Sequence, residues 1–215
     1  MLADTAVACH PDPRGALTTA IAAAREKLAS APQKERAEAQ AAVDALLERE
    51  RTHLAHLETV ARMARDGRKV RLPLMDREIP LILDAWAKPE LGSGCVKITP
   101  GHDPNDYEVW SRHKDEIGML SVLATNGTIN PTGGKYQGLD RFEARKRVVA
   151  DLDALGLLAR VEDRDIEIDH SDRSKTIVEP FVSKQWFVRM GDVPGGVVCG
   201  RGTSKQFTSP GLAQA

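Results

Sequence analysis

Aromatic side chains make up only 4% of this 215-residue chain, so its apolar weight must come from Ala, Leu and Val rather than from large rings. Cysteine is rare too. Cys9, Cys95 and Cys199 stand far apart without a C-x-x-C spacing, which argues against a disulfide framework and against a cysteine zinc site. A reduced, cytoplasmic setting follows as the expectation. No apolar run approaches the roughly 20 residues that span a bilayer, and no membrane partner is expected. Residues 1–5 have neither the basic start nor the apolar stretch of a signal peptide. An excess of one charge is also missing: the net charge of -1 excludes a protein that coats nucleic acid by charge alone, while leaving room for a local basic patch. What remains is the composition of an ordinary globular protein, long enough for one sizeable domain or two small ones.

Four textures follow one another. Residues 1–10 (MLADTAVACH) read as a short apolar strand that begins abruptly, as if cut. Residues 14–67 are rich in Ala, Glu, Arg and Leu, and Ser30-Ala31-Pro32 interrupts them, because proline cannot continue a helix and restricts the residue before it. Two helices are predicted, about 15–30 and 33–66. Val43, Leu47, Leu54, Leu57 and Ala61 fall at spacings of three, four and seven, an a/d-like stripe. The second helix would run for roughly 50 Å at 1.5 Å per residue, so an antiparallel helical hairpin projecting from the main body is expected, with Gly67 as its stop. Residues 69–74, 78–83 and 96–99 are short strand candidates, and Asn126-Gly127 marks a turn. An amphipathic helix is predicted over 140–157, with Phe142, Val148, Val149, Leu152 and Leu155 as its apolar positions and a basic run at Arg145-Lys146-Arg147. Strand and loop follow over 158–190. From Gly191 onward, Gly, Ser and Pro without periodicity predict disorder.

The densest chemical signal is GSGCVKITPGHDPND, residues 92–106. Its glycines let backbone approach a ligand closely. Strand alternation sends Lys97 and Thr99 to one face, and Pro100-Gly101 then break the strand into a turn that presents His102, Asp103 and Asp106. A cation, a hydroxyl and carboxylates in one unit suit a small zwitterion: a carboxylate takes an ammonium, while lysine and threonine test for a hydroxyl. Each residue has a plainer role open to it. Asp103 before Pro104 is an ordinary helix cap, Lys97 an ordinary surface lysine, and one histidine beside two aspartates is a thin basis for a metal. No metal ligand is assigned.

The run GSGCVKITPGHDPNDYEVWSRH resembles the segment that reads G-T-G-A-V-K-x-T-P-A-H-D-x-x-D in valine–tRNA ligases. MLADTAVACHP is similar to that family's M-L-G-D-T-A-V-A-V-H-P. VRLPLMDREIPLILDAW, LATNGTIN, YQGLDRFEARKRVVADLDALGLL and HSDRSKTIVEPFVSKQWFVRM match the rest of its editing domain in order. The resemblance implies a fold that is mainly β with α: the editing β-barrel of class I aminoacyl-tRNA synthetases, built from residues 1–13 and 68–190. Residues 14–67 would then be an inserted, coiled-coil-like helical hairpin, with a possible helical partner, and 191–215 an unmatched tail. It further implies hydrolysis of threonine wrongly attached to valine tRNA. Asp106 would bind the ammonium of the misattached amino acid, while Lys97, Thr99 and Asp103 recognise its hydroxyl. Asp103 and Asp106 would be the catalytic carboxylates. Arg141, Arg145, Lys146 and Arg147 would approach tRNA phosphates, although a solvated helix face accounts for them more simply. Editing would use a positioned water and no cofactor; ATP and Mg²⁺ serve only the full-length ligase.

The chain departs from the family pattern in four places. A T-R-P-E-T segment that helps form the pocket is expected just before Met1 and is absent. The helical insertion replaces a much shorter loop. Ser171 and Ser174 stand where some relatives carry zinc-binding cysteines. The match ends at Met190, as a frameshift or interrupted gene would explain. The H-I-G-H and K-M-S-K-S motifs of ATP-dependent aminoacylation do not occur in this chain. The alternative to a truncated editing esterase is therefore a non-catalytic remnant or a helical interaction module.

Overall fold

The computed structural model describes residues 2–163 and 165–183, with two further pairs at 198–199 and 207–208. The chain divides into two compact units at Val182, and the first holds all but two short strands. In the second, β5 (Val198–Cys199) pairs antiparallel with β6 (Phe207–Thr208). The rest of the predicted disordered tail, and QWFVRM before it, lie outside the described residues.

Four strands form the sheet of the first unit: β1 (Ala6–Cys9), β2 (Lys69–Leu72), β3 (Arg77–Leu83) and β4 (Cys95–Ile98). Their order is β2-β3-β1-β4. β1 runs parallel to β3 and antiparallel to β4, so Val7 stands between Leu81 and Lys97. A parallel pair needs a crossover, and the two long helices with β2 provide it. The architecture is mixed α/β, and among the described residues the sheet is open rather than closed on itself. The stretch 158–183 adds only an isolated bridge, His170 to Ile177, among the described residues. No longer strand forms there among the described residues.

Helices α1 (Pro13–Ser30) and α2 (Arg36–Arg65) fall where the apolar spacing predicts them. Asp12 caps α1 by accepting from the Gly15 amide at 3.0 Å, and Pro32 separates the two. They pack through Leu17, Leu54 and Leu57. Of the predicted stripe, Val43, Leu54, Leu57 and Ala61 are buried while Leu47 is 36% exposed; at 100° per residue it sits roughly 40° off the line of the others. α2 does not simply project. Its Arg65 hydrogen-bonds the Pro11 carbonyl, Arg14 of α1 meets Glu58 at 2.9 Å, and α2 packs onto β3 and β1.

One face of the sheet buries Ala6, Ala8, Ile82 and Ile98 against Val109 of α3 (Pro104–Arg112) and Ile117. Asp84, at the end of β3, ties the far end of α3 in place. It accepts from Arg112 at 3.0 and 3.1 Å, His113 Nε2 at 3.0 Å and the Trp86 amide at 2.8 Å. Burial alone would raise its pKa, but these donors outweigh burial and hold the carboxyl below its ordinary value. A second core joins Leu2, Ala3, Val122, Ile129 and Tyr136 to Ala144 of α4 (Arg141–Ala154). α4 docks along Ala144, Val148, Asp151 and Leu152. Phe142, Val149 and Leu155, three of its predicted apolar positions, are exposed.

Candidate functional site

Local geometry builds the site. Lys97 and Thr99 leave β4 on the same side because strand residues alternate. Pro100 and Gly101 then turn the chain, and Gly101 is pressed so close to the Leu120 carbonyl that a Cβ would collide with it. Asp103 caps α3: its Oδ1 accepts from the amides of Asn105 at 2.8 Å and Asp106 at 3.3 Å. The plainer role left open for Asp103 is thus real, and it leaves Asp103 at the wall of a cavity. Asp106, in the first turn of α3, points back to the strand. Its Oδ2 accepts from the Thr99 amide at 2.8 Å, Thr99 Oγ1 at 2.8 Å and Lys97 Nζ at 3.2 Å. Lys97 Nζ also donates to Thr99 Oγ1 at 2.8 Å.

This is an ammonium held between a hydroxyl and a carboxylate. The Asp106 side chain is 4% exposed and that of Lys97 52%. A buried carboxylate needs such donors, since an unpaired interior charge is costly, and the N-terminus of α3 adds favourable dipole charge.

Lys97, Thr99 and Asp103 line a cavity of about 360 Å³, together with His102, Arg141, Arg145 and Glu179. Leu2, Val122, Leu123, Ile129, Val148 and Val149 make its apolar wall. Asp106 is not on the lining but behind it. The four basic residues of 141–147 do not all face the cavity. Arg141 and Arg145 reach the cavity, and Arg141 is fixed there by Glu179 at 3.3 Å and the Ile177 carbonyl at 3.0 Å. Lys146 instead pairs with Glu143 at 2.8 Å on the exposed surface of α4, and exposed Arg147 reaches the half-buried Asp151 at 3.4 Å.

Of the polar residues at the cavity, Glu179 was not singled out in the sequence, and His102, presented there by the turn, was given no role. His102 Nε2 accepts from the Val122 amide at 2.9 Å, leaving Nδ1 to donate to the Pro180 carbonyl at 3.3 Å. Burial lowers its pKa, against the Pro180 bond and the charge of Glu179, which raise it, so the neutral ring pins three segments together. Its place in the motif was a signal, but its partners are 20 and 78 residues away. Glu179 carried no signal at all. Elsewhere on the sheet, Cys9 lies opposite Cys95, and burial, with Cys95 nearby, pushes its thiol up to about 11.

The chain is similar in sequence to known proteins. The chain is 53% identical to a valine–tRNA ligase of Rhodopirellula baltica over 193 residues, 90% of this chain and 18% of that protein. It is 52% identical to the valine–tRNA ligase of Clostridium perfringens over 124 residues, 58% of the chain and 14% of the relative. With that of Lactococcus lactis it shares 47% over 137 residues, 64% and 15% respectively. The chain thus spans less than a fifth of the curated relatives it matches. A match of 193 residues necessarily takes in most of α1 and α2, so the helical pair has a counterpart in the R. baltica enzyme. No family model matches.

Proposed function

Because the chain belongs to the valine–tRNA ligase family, as a segment of it, we propose that its cavity is an editing site that hydrolyses threonine from mischarged valine tRNA. In this reading the open sheet is one wall of an editing β-barrel spanning residues 1–13 and 68–190, and α1 with α2 is its inserted antiparallel hairpin. The compartment would be the cytoplasm, where tRNA is charged.

The observation that carries the reading is the ammonium of Lys97, set between Thr99 Oγ1 and Asp106 Oδ2 at the cavity wall. An amino acid's α-ammonium asks for the same two partners. The half-exposed Lys97 side chain swings aside, Asp106 takes the incoming ammonium, and Lys97, Thr99 and Asp103 meet the threonine hydroxyl. Asp103 holds a water against the ester. Water oxygen bonds to the carbonyl carbon, the bond from that carbon to the ribose oxygen breaks, and the water proton ends on the ribose oxygen. Free threonine and uncharged tRNA leave. No cofactor enters these steps. Arg141 and Arg145 sit where the tRNA end would enter, supplying cations for its phosphates.

Selection by a hydroxyl is what this task needs. Valine and threonine are nearly the same shape, and an apolar pocket rejects the added hydroxyl poorly, a limit for which this amino-acid pair is the standard illustration. A site that hydrogen-bonds the hydroxyl separates them.

The test is deacylation of threonyl- and valyl-tRNA, both on valine tRNA, by the folded chain. Faster release of threonine, cut about a hundredfold in Asp106→Ala, is the expected result. No release above the spontaneous rate from folded protein would leave a non-catalytic module and end the esterase reading.

A further inference from the structure

Helix α2 reaches the turn that precedes β4. Arg49 sends its guanidinium into the turn at 89–94. Nε donates to the Pro89 carbonyl, and one terminal nitrogen donates to Leu91 at 3.2 Å and to Gly92 at 2.9 Å. Three carbonyls of one short turn thus converge on one planar guanidinium. A second contact is apolar. Gly94, at φ +76°, lies so near Leu57 that a Cβ would meet the leucine Cδ2, and Leu57 belongs to the buried cluster joining α1 to α2.

Pro89 is fully buried and anchors the start of the turn; the rest of it is held less firmly. Its own bonds are local, Leu91 to Lys88 at 3.1 Å and Gly94 to Leu91 at 2.8 Å. Gly92 joins Gly94 in the left-handed region, and Leu91 is 64% exposed. Strand β4 begins at the next residue, Cys95, and among the described residues it lies at the sheet edge, paired with β1 alone. Lys97 is its third residue. β4 itself is paired along its length with β1 and buries Ile98 in the core, so the turn governs chiefly how the strand enters at Cys95.

We propose that Arg49 is a positioning residue: through it α2 clamps the 89–94 turn, sets β4, and so brings Lys97 and Thr99 to Asp106. Its consequence for deacylation rests on the editing reading; its mechanical content does not. The helical pair becomes a brace for the site instead of an appendage.

The test uses the whole chain with Arg49→Met, which keeps an apolar stem, and Arg49→Lys, whose compact ammonium cannot span three carbonyls. Arg51→Met is the control, since exposed Arg51 meets only Glu48 one turn away. Amide hydrogen exchange is followed across 91–99, and acylation of Lys97 Nζ by acetic anhydride is read by mass spectrometry. In Arg49→Met both rates rise about tenfold, the order expected for losing hydrogen bonds to a charged donor, while exchange in α1 and α2 stays unchanged. Arg49→Lys falls between, and Arg51→Met matches the parent. The kcat/KM for threonyl-tRNA drops by about as much, chiefly through KM. Unchanged exchange and labelling at 91–99 in Arg49→Met overturns the proposal, and so does an equal rise throughout α1 and α2. If the parent chain releases no threonine, the editing reading falls, while exchange and labelling still decide the role of Arg49.

Discussion

The strand-and-turn unit at 95–106 and the helix at 141–154 both carry charged residues that the family resemblance assigns to function, yet the structure treats them oppositely. In the first, side chains nine residues apart converge on one carboxylate oxygen, Asp106 Oδ2. In the second, residues adjacent in sequence separate: Arg145 lines the cavity, while Lys146 and Arg147 pair with acids of their own helix. The period of the element explains both. Alternation in a strand puts i and i+2 on one face, whereas each helical step turns by about 100°, so three consecutive basic residues cannot share a partner. A charge run on a helix is a property of the sequence; a charged site is a property of a face.

The comparison breaks most sharply at Asp106. Asp106→Ala leaves Lys97 and Thr99 without their acceptor, and unpaired interior groups cost about 1–3 kcal/mol, so threonyl-tRNA deacylation should fall about a hundredfold. Arg147→Ala should change it less than about twofold, because exposed ion pairs contribute little. Equal effects in a deacylation assay would erase the distinction between the two regions. Thr99→Val is next: it keeps the shape and removes the hydroxyl bridging Lys97 and Asp106, with an expected loss of about tenfold in the preference for threonine over valine esters. A smaller effect sharpens the helix side. Arg145→Ala should weaken tRNA binding a few-fold and flatten the salt dependence by about one counterion, while Lys146→Ala leaves both near the parent in a filter-binding titration.

The smallest effect concerns pH. His102 has a lowered pKa in the folded chain, so the unfolded chain binds its proton first as pH falls. Its contribution is therefore complete above the ordinary histidine value near 6.5 and is lost as pH drops from there through the folded value. Protonation takes Nε2 away from the Val122 amide. That amide should exchange faster, after correction for intrinsic pH dependence, on going from pH 7 to 5; His102→Ala should show no such step.

Much of this was legible beforehand. The breaks at Pro32 and Gly67, the strands at 69–72, 77–83 and 95–98, and the helix beginning at Pro104 fall where period and punctuation put them, because those features act within a few residues. The pairing of Lys97 and Thr99 on one face was legible for the same reason. The apolar face of α4 was misread: Phe142, Val149 and Leu155 are exposed, since the helix docks along the stripe of Ala144, a side chain too small to stand out in a hydrophobic pattern. Glu179 opposite Arg141 had no local trace, the partners being 38 residues apart.

By itself the sequence determined which chemical groups this protein possesses, and where its chain must bend, because rotation about the backbone and the alternation of side chains are local physics. Its family was carried by motif order, and the long alignments to valine–tRNA ligases agree with it. Only the tertiary structure decided that β1 lies between β3 and β4, that Asp106 stands behind the cavity wall with Asp103 on it, and that α2 grips the turn before β4 through Arg49. Those are contacts between segments far apart along the chain. They form where burial of apolar area and satisfaction of buried polar groups can be met together, a condition set by the whole fold rather than by any stretch of it.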